Sequence, residues 1–75
     1  MTGYVVIFEG DDEDGYSAYS PVLPGVVAAG ATRSETERLM RAAIAEHIDL
    51  LRELGQPVPE PSDSDSVALV DPAVA

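Results

Sequence analysis

Cysteine is absent from all 75 residues, which removes disulfides and thiolate metal sites, the usual staples of small domains. A chain of this length buries only about 60 to 65 % of the surface that its unfolded form exposes. Ordering it costs on the order of 100 kcal/mol of conformational entropy, so a partner chain is the support that remains. The missing thiol fits a reducing compartment, and a cytoplasmic location is expected. Lysine is absent as well, and four arginines face fourteen acidic residues for a net charge of -10. Such a surface repels phosphate backbones, so direct nucleic-acid binding is not expected, whereas a basic protein would be drawn toward it. No apolar run approaches the ~20 residues that cross a bilayer. The opening Met1-Thr2-Gly3-Tyr4 has no basic segment ahead of its apolar run, so neither a membrane span nor a secretory signal is expected.

What the chain does have is 45 % hydrophobic residues arranged with clear periodicity, which argues for folded structure. Tyr4-Val5-Val6-Ile7-Phe8, between Gly3 and Gly10, is β-branched and aromatic and reads as one strand with apolar side chains on both faces. Gly10-Asp11-Asp12-Glu13-Asp14-Gly15 reads as a hairpin loop, and Tyr16–Ser20 as a second, antiparallel strand. Pro21 and Pro24 cannot donate to a ladder, and Gly25 favours a turn, so the chain reverses there. Val26–Ala29 reads as a third strand.

Thr32-Arg33-Ser34-Glu35 matches a capping box. From Arg33 to Leu54, Leu39, Met40, Ala43, Ile44, Ile48, Leu51 and Leu54 recur at the spacing of an amphipathic helix, with His47 beside the stripe. Gly55 and Pro57 end it. Pro57–Pro61 is extended and stiff, and residues 62–75 form an acidic tail with a candidate short strand at 66–70. The fold class is therefore α+β, in the order β-β-β-α-β: a small antiparallel three-stranded sheet with one helix. One helix covers one face of a sheet. The other face, with Val5 and Ile7, needs another shield, most simply a second subunit in a homodimer or larger homo-oligomer, with the C-terminal strand or a loop as the lesser choices.

Few residues carry the marks of chemistry. Asp11-Asp12-Glu13-Asp14 lacks the ligand order and remote glutamate of a calcium loop, and reads as a solvated hairpin tip that attracts cations on a basic partner. Glu9 has no second acidic residue on a predicted strand to meet it, so a two-metal nuclease cluster is not expected. His47 lacks a nucleophile in a recognisable setting and reads as a boundary-packing residue. Tyr16 and Tyr19 fall on opposite faces of a regular strand, one for the core and one a candidate contact. No catalytic, cofactor or metal residue is assigned. The candidate partner-binding residues are Asp11, Asp12, Glu13, Asp14, Tyr16 and Tyr19.

Taken in order, "YVVIFEGDDEDGYSAYSPVLPG", the short strand to Gly30, Thr32-x-x-Glu35, the amphipathic helix and "LGQPVPEP" resemble the HicB-like antitoxins of bacterial type II toxin-antitoxin systems. The most specific pieces are Pro21-x-x-Pro24-Gly25, Gly30-x-Thr32 and Gly55-x-Pro57-x-Pro59-x-Pro61, and the resemblance covers residues 4–61. It implies a domain over residues 1–61 with a partial RNase H-like fold, oligomerisation, and binding to a small basic toxin, HicA, an mRNA-cleaving ribonuclease. Many members carry a C-terminal DNA-reading segment, and residues 62–75 are too short and too acidic for one. The implied function is neutralisation of such a toxin, without enzymatic activity and without a cofactor. The alternatives are a stand-alone relative with no toxin and, from another class, a small metal-dependent nuclease.

Overall fold

A computed structural model describes residues 2–63 and 69–70. Along the chain come β1 (Thr2–Val5), β2 (Ile7–Asp11), β3 (Gly15–Tyr19), β4 (Val27–Gly30), α1 (Arg33–Glu53), β5 (Ser62–Asp63) and β6 (Leu69–Val70). The expected three-stranded antiparallel sheet and single helix are present, and the fold is α+β.

The apolar run Tyr4–Phe8 departs from expectation by forming two strands that meet at Val6. Before Val6, β1 lies between β5 and β6 and pairs antiparallel with both; after it, β2 pairs with β3 and β3 with β4. Val6 itself is outside either ladder, with its side chain buried in the core. The candidate strand at 66–70 is seen as Leu69–Val70, and residues 66–68 lie outside the described residues.

The Pro21–Gly25 reversal works through two backbone bonds, Leu23 N–H to the Ser20 carbonyl (3.4 Å) and Val26 N–H to the Leu23 carbonyl (3.2 Å). The second closes a turn with Pro24 at its first corner and Gly25, at φ 86°, at its second, the placement a type II turn requires. Leu23, held between the prolines, is driven into the core.

Gly30 makes room for the helix to start. A Cβ there would sit 2.9 Å from Thr36 Oγ1 and 3.2 Å from the Thr36 amide nitrogen. Thr32 caps α1 by accepting the Glu35 amide at 3.1 Å, and the buried Thr36 hydroxyl donates to the Thr32 carbonyl at 2.8 Å. At the far end the Gly55 amide donates to the Arg52 carbonyl and the Gln56 amide to the Leu51 carbonyl, the paired bonds of a Schellman cap.

The helix buries Thr36, Met40, Ile44 and Ile48, one residue per turn, over β4 and β3. They meet Tyr4, Val6, Ala18, Leu23, Val26 and Val70. Leu39 and Leu54 of the predicted stripe are exposed instead. Val70, from the acidic tail, is thus a core residue. The proline segment ahead of the tail is tied to β1 as well, where the Tyr4 hydroxyl donates to the Pro59 carbonyl at 2.8 Å.

Candidate partner-binding surface

The strand pleat and the ladder registers decide what the face of the β2–β3–β4 sheet turned away from α1 presents. Ile7 pairs with Tyr19 and Tyr19 with Val27, so three apolar side chains cross the sheet in one row on one face. They are 36 %, 40 % and 66 % exposed. The next row on the same face is Glu9, Ser17 and Ala29, all exposed. The row beyond is Asp11 opposite Gly15, at the mouth of the hairpin tip. The face is therefore apolar at one end and acidic at the other.

The tip is ordered by its own carboxylates. Asp11 Oδ1 accepts the amides of Glu13 (3.0 Å) and Asp14 (2.7 Å), an aspartate-led turn. Asp12 Oδ1 accepts the Tyr16 hydroxyl at 2.9 Å. That bond pushes the Tyr16 pKa above its ordinary value, with burial and the charges of Asp12 and Asp11 adding and Arg33 opposing. Two of the four predicted acidic contacts therefore shape the loop. Glu13 and Asp14 are exposed, and neither carboxylate has a hydrogen bond or ion pair among the described residues.

Tyr16 and Tyr19 do lie on opposite faces, but neither is core: Tyr16 is half-buried on the helix side, opposite Gly10 and Gly30. Tyr4 is the tyrosine of the core. Tyr19 offers an apolar ring and a free hydroxyl at once, the pattern enriched at protein interfaces. The alternation of the sequence assigned Ile7 to the open face, but Val27 as the third member of its row needed the register. No local signal announced that Arg33, at the first turn of α1, stacks 4.0 Å over the Phe8 ring. His47 is half-buried beside β4. Among the described residues no group of three His, Asp or Glu side chains is placed to hold a metal ion.

Residues 4–72 match the family described as "HicB_like antitoxin of bacterial toxin-antitoxin system". The chain belongs to the HicB-like antitoxins. The fold of this HicB-like chain is also that of a solved structure titled "HicA3 and HicB3 toxin-antitoxin complex", at a TM-score of 0.63 and 30 % identity, covering 85 % of this chain and 72 % of that one. No curated protein matches the HicB-like sequence. Family and neighbour together give the HicB-like chain a role in a toxin-antitoxin system.

Proposed function

We propose that this protein neutralises a small, basic, HicA-type mRNA-cleaving toxin by laying the open face of β2–β3–β4 and its acidic tip against it. The observation that carries the reading is the passage of the Ile7–Tyr19–Val27 row into Glu9 and Asp11 on one face, with the rest of the acidic hairpin tip at its end. The apolar end supplies desolvation and the acidic end meets cations. Charge in that arrangement speeds encounter more than it tightens the complex. The titled complex of the structural neighbour supports a toxin as partner. A protein that restrains an mRNA-cleaving toxin acts where mRNA is translated, in the cytoplasm.

Co-expression with the adjacent small basic reading frame, followed by affinity purification and an RNA-cleavage assay, tests the proposal. The expected result is a complex that survives moderate salt, with cleavage suppressed by the protein and restored when Tyr19→Glu replaces it. A toxin inhibited equally by Tyr19→Glu and by the unmodified chain would exclude this face. A chain with no basic neighbour and no captured toxin would be the stand-alone relative. The carboxylates here bind and do not catalyse. RNA cleavage by the purified chain with magnesium or manganese, lost when Asp11, Asp12 and Asp14 become asparagine, would reverse that assignment.

A further inference from the structure

The first turn of α1 breaks a rule that the last turn keeps. Arg52 lies in the last turn, where the helix dipole favours a cation, whereas Arg33 is the first residue of the helix, where the dipole repels one. A residue set against its local preference marks a place where the rest of the fold makes use of it. The Arg33 side chain is exposed, yet its guanidinium lies 4.0 Å from the centre of the Phe8 ring, well inside the range of a cation–π contact.

That seat is next to the hairpin tip. On the helix side of the sheet Phe8 pairs with Ala18, and the next row toward the tip is Gly10, Tyr16 and Gly30. Tyr16 thus stands between two residues that have no side chain, with Phe8 as its diagonal neighbour about 7 to 8 Å away. A shallow cleft follows, lined by Asp12 and Tyr16 from the tip and by Gly30 and Ala31 from the entry to α1. Little apolar packing joins the tip to the helix across it. Polar chemistry does so instead: the Tyr16 hydroxyl donates to Asp12 at 2.9 Å, and among the charges that act on Tyr16, Asp12 and Asp11 are the anions and Arg33 is the cation.

We propose that Arg33 is the positioning residue of the acidic tip: seated on Phe8 beside Tyr16, its guanidinium ties the hairpin to the first turn of α1 and fixes the direction in which Glu13 and Asp14 are offered. The use of that direction by a basic toxin rests on the function proposed above, whereas the tie itself does not. The residue type follows from the task. A flat guanidinium can lie on a ring while its N–H groups at the edge stay available to oxygen, and an ammonium, a hydrated point charge, does this less well. A carboxylate at this position would suit the helix dipole but would repel the four acidic residues of the tip, Asp11, Asp12, Glu13 and Asp14.

Nuclear magnetic resonance on the full chain alone, without toxin, tests this. Arg33→Lys keeps the charge and weakens the stack, so the Glu13 and Asp14 amides, which donate to Asp11, should exchange with solvent about two- to fivefold faster, with amides in the middle of α1 unchanged. Arg33→Gln removes the cation, so the Tyr16 ring signals should titrate at a higher pH than in the unmodified chain. Tip amides that keep their exchange rate in Arg33→Lys overturn the inference, as does a Tyr16 midpoint that Arg33→Gln leaves in place. Should either variant lose helicity, the unmodified chain decides: Arg33 δ-methylene protons moved upfield by the Phe8 ring support the seat, and signals at the positions of a solvated arginine refute it. With toxin added, Arg33→Lys should speed dissociation and leave association unaltered, because the net charge is the same. Tip responses as expected in a chain that binds no toxin would uphold the positioning role and remove the function proposed above.

Discussion

The bond from the Tyr16 hydroxyl to Asp12 links the shape of the hairpin tip to a proton that can be watched. Its folded-state pKa is raised from 10.0, so the bond favours the folded chain fully below about pH 10 and the benefit fades as pH rises through the folded-state value. Ultraviolet titration should show one phenol ionising above the ordinary tyrosine range, and Asp12→Asn should bring it back down. A titration unchanged by Asp12→Asn would mean that the bond is not kept in solution. Asp11 is a different case, since its carboxylate accepts two amides. Asp11→Ala should loosen the tip, whereas Glu13→Lys with Asp14→Lys should leave it folded and slow toxin association with little change in dissociation. At this scale the sequence was legible in kind: four acidic residues between two glycines meant a loop. Which of them face outward depended on hydrogen bonds that composition does not encode.

Elements were legible where their ends carry local chemistry. Thr32-x-x-Glu35 and Gly55 bracket α1 because caps satisfy backbone groups within a few residues of themselves, and Pro24-Gly25 makes its turn for the same reason. Thr32→Ala should cost about 1 kcal/mol in urea denaturation. Gly30→Ala should cost more than that, because its methyl group would press on Thr36. An Ile44→Ala cavity, at a fully buried site, should cost about 2–5 kcal/mol. The break at Val6 was not legible. Tyr4–Phe8 has the composition of a single strand, and its division follows from partners more than fifty residues away. Ser62–Asp63 likewise takes part in a ladder with polar residues that have no strand propensity of their own. The open-face row was half legible, since alternation gives Ile7 its face, while only the register brings Tyr19 and Val27 beside it.

The whole molecule is a small core inside a strongly acidic shell. Like charges spread over 75 residues oppose compaction, and salt screens them over about 10 Å at 0.1 M. Melting temperature should therefore rise between low and moderate salt, measured by circular dichroism. A falling profile would mean that favourable ion pairs outweigh the repulsion. Toxin association should move the opposite way, slowing as salt increases. The pairing of β1 with β5 and β6 has a consequence in time. β1 waits for partners about sixty residues further along the chain, and Val70 reaches its seat beside Tyr4 and Val6 only after β2, β3, β4 and α1 have all been made. Throughout synthesis that nascent edge is open to any other strand in the cell, so this chain gains from meeting its proper neighbours early, while still attached to the ribosome.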